Sequence, residues 1–372
     1  MIRVCHVTSV HNSTDNRIFH KECASLAAAG YDVTLVARGE SREEKGVHVL
    51  GVGNMPAGSL ERLRKGGFRK AARAAEALDA DVYHIHDPEL LPFLLHMKRK
   101  GKLCIFDSHE YTRFHFDART YLGSVGKKLV PIAYTAYENH ALRKIDAVIV
   151  PCTLNGENLY ARWAKRSVLV DNYPRLEQFP DTWSAPTTDS ENTVGYVGSL
   201  TRARGVEHMI RAAHRAGARL LLAGGGSPEY INELRSMPEF SSVDYIGPIP
   251  PREVPAFCRG LRAGLCLWLD QGEYHRIDNM GTKVFEYMGA GLPAIVSDTP
   301  HAREINREYD CLLCVDPMDI DGTAAAIRRL LDDPDRILRM GQNAFRAAHE
   351  RFNWAVEEKK LVELYRELTD KR

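Results

Sequence analysis

Residues 1–37, MIRVCHVTSVHNSTDNRIFHKECASLAAAGYDVTLVA, decide the fold. Ile2–Thr8 is short, apolar and β-branched, which predicts a strand, and a polar loop, His11–Asn16, follows it. Phe19–Ala29 then places Phe19, Cys23, Leu26 and Ala27 on one side of a predicted helix that stops at Gly30, and Tyr31–Ala37 is again a strand. A strand, a helix and a second strand in about 30 residues make a β-α-β unit. The rhythm continues through predicted strands Val47–Val52, Val82–His86, Leu103–Asp107 and Ala147–Pro151 and helices Leu60–Leu78, Leu90–Lys100 and Gly126–Arg143. Such alternation implies a doubly wound parallel sheet.

The pattern lapses over residues 172–192, NYPRLEQFPDTWSAPTTDSEN, whose prolines, serines and threonines mark a linker. A second alternation then runs through strands Thr193–Val197, Arg219–Ala223, Val243–Ile246, Ala263–Leu267 and Ala294–Ser297. Helices are predicted over Gly205–Ala216, Pro228–Ser236, Pro251–Arg259, Thr282–Gly289, much of 321–349 and Trp354–Leu368. The expected fold is therefore α/β, two Rossmann-like doubly wound parallel-sheet domains facing each other across a cleft. Their expected limits are 1–171, a linker 172–192, 193–352, and a C-terminal helix 353–372 packing back on the first domain.

Composition narrows the function. The chain has 372 residues, 44% hydrophobic and 27% charged, which excludes disordered and collagen-like proteins. Its apolar runs fall far short of the roughly 20 residues that span a bilayer, and no signal peptide is evident at the N-terminus. Eight dispersed cysteines make no disulfide framework, so a cytoplasmic location is expected. A net charge of +1 argues against nucleic acid as a partner. The charge is uneven, however. Residues 1–171 hold 25 Lys and Arg against 19 Asp and Glu, and the remainder holds 25 against 30, so the first domain is expected to face something anionic.

Ligands of such domains bind beyond the carboxyl ends of the strands. There the sequence places Ser199, then Arg202 and Arg204 just before a helix whose free N–H groups favour anions; a phosphate site or a solvated basic turn both fit. Gly224 and Gly225 open a three-glycine run that allows close backbone approach. No GxGxxG fingerprint follows either first strand, which disfavours a nicotinamide or flavin cofactor. Residues 275–298, HRIDNMGTKVFEYMGAGLPAIVSD, are the most specific. Asn279, Met280, Gly281 and Thr282 offer backbone N–H groups to a diphosphate, and Glu286 can accept from both hydroxyls of a ribose. Spacing alone equally allows an ordinary helix-surface carboxylate there.

Metal-like patterns lead nowhere in the sequence. Asp79-Ala80-Asp81 precedes a strand, at the wrong end for a ligand. Strand alternation puts His84 and His86 on one face without completing a ligand set, and Cys311 and Cys314 lack a second pair. No metal and no cofactor are expected.

The 275–298 stretch resembles the donor-site signature of the family 4 glycosyltransferases, retaining enzymes of the GT-B fold, in which two acids with seven residues between them precede an Ala-Gly-Leu-Pro type turn. The first acid here is Asp278. HVTSVHNSTDNRIFHKECASLAAAGYDVTLVA, DVYHIHDPELL and VGSLTRARGVEHMI are similar to other family segments, with bacterial surface-polysaccharide enzymes among the resembling members. The resemblance implies that His109, in FDSHEY, lies beside the donor sugar, that Arg204 binds the diphosphate, that Glu286 binds the ribose and that Asp278 meets the transferred sugar. Ser199 stands where the family usually has Arg, which leaves Arg202 as the alternative second cation. Asn16, Arg17, His86, Asp87 and Glu110 fall on the acceptor side. The co-substrate implied is a nucleotide-diphosphate sugar, UDP- ahead of GDP-, with a glycan or lipid-linked acceptor and an anionic inner-leaflet surface as further partners. A UDP-sugar epimerase of the same fold and a catalytically silent nucleotide-sugar-binding subunit are the alternatives.

Overall fold

The computed structural model describes residues 1–53, 66–109, 111–112, 124–185, 192–269 and 277–370, with backbone alone for 124–128. It divides into two units, Met1–Asn172 with Ala355–Arg372, and Tyr173–Trp354. Each is an α/β unit on one sheet.

In the first unit the strands are β1 (Arg3–Asn12), β2 (Asp32–Arg38), β3 (Arg42–Glu44), β4 (Val47–Gly51), β5 (Val82–Ile85), β6 (Leu103–Asp107), β7 (Ala147–Val150) and β8 (Ser167–Leu169). Their order is β3-β4-β2-β1-β5-β6-β7-β8, parallel except for the β3–β4 pair. Chain order reverses at β1, which has β2 on one side and β5 on the other, and such a reversal opens a crevice at the carboxyl ends. Val4, Cys5, Val7, Ile85, Ile105 and Phe106 are buried, as expected of parallel strands covered on both faces. The Trp354–Thr369 helix also belongs to this unit from Ala355 onward.

Local departures from the predicted elements have physical causes. The predicted helix over Phe19–Ala29 is a π-helical turn, Ile18–Cys23, followed by a short α-helix, Ala24–Ala28. The wider turn lets Lys21 and Glu22 be buried together with Ile18 and Phe19, which a regular amphipathic helix would not do. The described helix of the basic 61–78 segment is Gly67–Ala77, after Gly66 in the left-handed region at φ 64°; residues 54–65 lie outside the described residues. Strands β3 and β8 are only three residues long, too short to leave a periodic signal.

The second unit holds β9 (Thr193–Val197), β10 (Arg219–Ala223), β11 (Val243–Gly247), β12 (Ala263–Cys266), β13 (Ala294–Ser297) and β14 (Leu312–Val315). All are parallel, in the order β11-β10-β9-β12-β13-β14, with the reversal at β9. The Pro300–Tyr309 helix and β14 had no counterpart in the sequence reading. Tyr173 and Phe179, in the stretch read as a linker, are buried in this unit.

Two glycines bring the site loops together. A Cβ on Gly224 would stand 1.8 Å from the carbonyl oxygen of Gly198, so the backbone that approaches Gly224 is that of the turn after β9. Gly205, at φ 65°, caps the Val206–Ala216 helix, and a Cβ there would stand 2.0 Å from the Leu267 carbonyl. Gly205→Ala should therefore destabilise the protein by more than about 2 kcal/mol, through left-handed strain and a backbone clash together. Gly217, at φ 71° with nothing within 4 Å of a built Cβ, is the control; Gly217→Ala should cost about 1 kcal/mol, through strain alone. Urea midpoints of the two variants check the difference.

Candidate active site

In the first unit, the loops at the carboxyl ends of β1, β5 and β6 enclose a cavity of about 510 Å3. Asn16, Arg17, His86, Asp87 and His109 all line it, together with His11 and Asp15. Glu110 lies outside the described residues. Asp87 shapes the rim: it accepts from the Thr8 hydroxyl at 2.9 Å and from the Ser9 and Val10 N–H groups at 2.6 and 3.3 Å, which fixes the turn after β1.

Arg17 does not hold its guanidinium free for an acceptor. It is buried, donates through Nε and Nη2 to Asp107 Oδ2 at 3.2 and 3.0 Å, and donates through Nη1 to the Val170 carbonyl at 3.0 Å. Its Nε also stands 2.9 Å from Glu22 Oε1. Burial works against both charges of the Arg17–Asp107 pair, yet each partner wins for the other: Asp107 is held well below the usual carboxylate range and Arg17 above its ordinary value. Burial and the Asp107 charge push Glu22 well above its ordinary range, so it keeps its proton. Arg17, which lines the cavity, is at the same time a brace that fixes Asp107 two residues before His109.

Behind the cavity lies a stack of histidines. His6 and His84 are register partners on β1 and β5, and His86 follows two residues on, so strand alternation turns all three to one face. His6 Nδ1 is 2.9 Å from His86 Nε2, and His86 Nδ1 is 3.1 Å from His109 Nε2. Tyr365, from the last helix, places its hydroxyl 2.8 Å from His84 Nδ1 and 3.2 Å from His6 Nε2. Burial lowers His84 to about 3 and His109 to about 4, and puts His6 and His86 well below their ordinary value, so all four are neutral at pH 7.

The folded sheet brings further groups to His84 and His86. His6, Glu22, His84 and His86 each offer one ligand atom within 4.8 Å of one another. The 2.9 Å contact of His6 with His86 has hydrogen-bond length, however, whereas two nitrogens on a tetrahedral zinc stand about 3.3 Å apart.

In the second unit the named residues gather on the loops after β9, β10 and β12. Ser199 follows β9, and its carbonyl accepts from the Tyr196 hydroxyl at 3.1 Å. Arg202 and Arg204 bound a 3-10 turn before Gly205, and Leu269 N–H donates to the Ala203 carbonyl at 3.0 Å, tying the turn to the loop after β12. The two arginines differ. Arg202 is paired with Glu207 and Glu233 and packs on Tyr230, whereas the Arg204 guanidinium lies over Trp268, 5.4 Å from the ring centroid.

Trp268 also walls the start of the Thr282–Gly289 helix, whose N-cap Gly281 supplies no side-chain cap. A Cβ on Gly281 would sit 3.1 Å from both Cys266 Sγ and Trp268. Burial pushes the Cys266 thiol up to about 11, while Arg204, the Gly281 N–H and Lys283 all pull it down. Lys283 escaped the sequence reading, although its place one residue into the helix was a signal. It donates to Glu286 Oε2 at 2.8 Å. Met280 N–H donates to Asn279 Oδ1 at 2.6 Å, and the Asp278 charge favours protonated His301 against the burial that lowers it. Gly225 has only Pro248 near a built Cβ, at 3.5 Å.

Comparison with known proteins assigns both units. Residues 16–170 match the family described as "Glycosyl transferase 4-like domain", and residues 180–347 match "Glycosyl transferases group 1". A GDP-mannose-dependent alpha-mannosyltransferase of Mycobacterium tuberculosis is 26% identical over 319 residues, 80% of this chain and 78% of that one. A glycogen synthase of the same species is 23% identical over 374 residues, 91% of this chain and 87% of that one. Among solved structures, a sucrose-phosphate synthase from Thermosynechococcus elongatus aligns over 100% of both chains with a TM-score of 0.77 and 19% identity. Anabaena HepE, in complex with UDP and glucose, aligns over 98% of this chain and 99% of that one with a TM-score of 0.71 and 13% identity. These structures share the GT-B fold.

The neutral histidines make stability depend on pH. Between about pH 6.5 and 4 the unfolded chain binds protons that native His84 and His109 refuse, so stability falls as pH falls. At pH 4.5 each should cost about 2–3 kcal/mol relative to pH 7. Urea midpoints across this range should drop steeply, and His84→Phe should flatten the slope; a flat wild-type curve would show that the imidazoles are not buried as neutral rings.

Proposed function

On the premise that a chain made of a glycosyl transferase 4-like domain and a glycosyl transferases group 1 domain is a glycosyltransferase, we propose that it moves a sugar from a nucleotide-diphosphate sugar to a glycan or lipid-linked acceptor in surface-polysaccharide or glycoconjugate synthesis. The transfer retains the anomeric configuration and uses no metal. The observation that carries this reading is the Arg204 guanidinium over Trp268, which walls the start of the Thr282–Gly289 helix, with Lys283 in that helix's first turn. Backbone N–H groups, a helix N-terminus and two cations suit a diphosphate.

The chemistry then needs little beyond electrostatics. As the glycosidic bond breaks, charge grows on the leaving diphosphate, and preorganised donors stabilise that charge more than the ground state. Arg204 and Lys283 take this role, with Arg202 as the alternative cation on the same loop. Glu286 takes the ribose, Asp278 the sugar hydroxyls, and His109, with Asn16, His86 and Asp87, the reacting end.

A thermal-shift panel of UDP-, GDP-, ADP- and TDP-sugars tests the donor, with UDP-sugars expected to stabilise most and GDP-mannose as the rival. A donor at 100 times its Kd should add about 2.7 kcal/mol. Glu286→Ala should weaken binding by about 1.5–3 kcal/mol in a folded protein. Arg204→Ala should lower kcat at least about a hundredfold, and Arg202→Ala should change it little. An equal loss at Arg202 would move the cation along the loop.

We further propose that the acceptor is met at an anionic membrane surface. Among the described residues no helix is long and apolar enough to cross a membrane. Lys98, Arg99, His140, Arg143, Lys144 and Lys165 line an open cavity of about 550 Å3 in the first unit, and Leu129 and Ile132 are exposed on the helix that carries His140. A basic residue near an anionic surface contributes about 1 kcal/mol. Flotation with anionic vesicles should carry the protein at low salt and lose it at high salt; no binding at low salt would favour a soluble acceptor.

A further inference from the structure

The Tyr365–His6–His86–His109 chain has a direction. A neutral imidazole has one N–H and one lone pair, so His6 and His86, each contacted through both nitrogens, must donate on one side and accept on the other. Tyr365 has a single proton and two histidine partners, so it too donates to one and accepts from the other. Fixing any one proton fixes them all, which leaves two arrangements.

The far end chooses between them. His84 Nε2 is buried and has no hydrogen-bond partner among the described residues. If the protons run from His109 toward His84, this nitrogen carries an orphaned N–H; if they run the other way, it carries only a bare lone pair. An orphaned buried N–H is the rarer and dearer defect. The protons therefore run outward from His84: His84 Nδ1–H donates to Tyr365, Tyr365 O–H to His6 Nε2, His6 Nδ1–H to His86 Nε2, and His86 Nδ1–H to His109 Nε2. The carboxylate that could pull a proton onto His109 Nε2, Asp107, is 3.8 Å away, too far for a hydrogen bond. The carboxyl oxygens of Glu22 and Asp107 near His86 Nδ1 stand at 3.9 Å.

We propose that this chain locks His109 as an Nδ1–H hydrogen-bond donor to a ligand oxygen in the first-unit cavity, with Tyr365 as the positioning residue at its far end. His109 then cannot serve as a general base through Nε2, whose lone pair is taken by His86. The identity of the ligand oxygen, on a sugar or a phosphate, rests on the proposed transfer reaction; the tautomer does not.

Histidine-labelled nitrogen-15 NMR of the whole, ligand-free chain at pH 7 reads the tautomer directly, with the His109 signals assigned by their loss in His109→Asn. The expected result is a protonated Nδ1 and a bare Nε2 on His109. A protonated Nε2 there, or one equivalent of bound zinc by elemental analysis, would overturn the proposal. Tyr365→Phe touches neither His86 nor His109, yet should shift the His86 Nδ1–H proton toward a weaker hydrogen bond, because a shortened chain polarises its remaining links less. An unmoved signal would reduce Tyr365 to packing. In the transfer assay His109→Asn, which keeps a donor near Nδ1 and has no base, should stay within about tenfold of wild type while His109→Ala loses about a hundredfold or more; equal losses would overturn the donor role. Absence of transfer by the wild type would sink the proposed reaction and leave the tautomer result standing.

Discussion

One buried cation organises the first unit. Arg17 enters from the loop after β1, reaches Asp107 at the end of β6 and touches the carbonyl of Val170 just beyond β8. Removing one partner of such a pair leaves an uncompensated charge in a dry interior, at about 3–5 kcal/mol. The pair is also what permits Glu22 to be buried as an acid, because the Arg17 charge is already matched by Asp107. The two charges are matched within the pair, and burial keeps the imidazoles beside them neutral. The polar interior of this unit is thus built around one matched pair.

The sheet then decides where that interior opens. Both units reverse strand order at their first strand, β1 or β9, and both gather their polar loops at the carboxyl ends on either side of it. The solutions differ in chemistry. The first unit meets its cavity with side chains braced from behind. The second relies on backbone: glycines that let turns touch, a helix start with a glycine at its N-cap, and a cation laid against an aromatic ring. The first arrangement suits a reaction partner whose hydroxyls must be oriented, and the second suits an anion whose charge must be spread.

Much of this was legible in the residues. Parallel strands betray themselves by continuous apolar runs, and the carboxyl-end rule leads from those runs to Ser199, Arg204 and Gly281, whereas His109 was implied by the family resemblance alone. Part of what escaped lacked a local signal. Three-residue strands leave no period, and a π-turn looks like a helix until the burial of Lys21 and Glu22 is known. His6 was passed over as one polar residue inside an apolar strand, although a buried imidazole in VCHV was itself the anomaly to follow. Its partners come from residue 22, residues 84 and 86, and residue 365, and only the folded sheet brings those distances to contact. Arg17 was half read for the opposite reason: an arginine in a site loop looks like a ligand, and only its three buried partners reveal a brace as well.

The helix that supplies Tyr365 follows the whole second unit in the chain, while the unit it completes begins at residue 1. On the ribosome, residues 1–172 therefore emerge with their buried face unfinished. His6 and His84 must wait for the Tyr365 hydroxyl while nearly two hundred further residues are made, roughly 10–40 s at ordinary elongation rates. Until then their rings have water as the partner in its place. The order of synthesis thus makes closure of the nascent amino-terminal half a late event, after the carboxyl-terminal half has been built, and any pause in translation before codon 365 prolongs the time its polar core stands open.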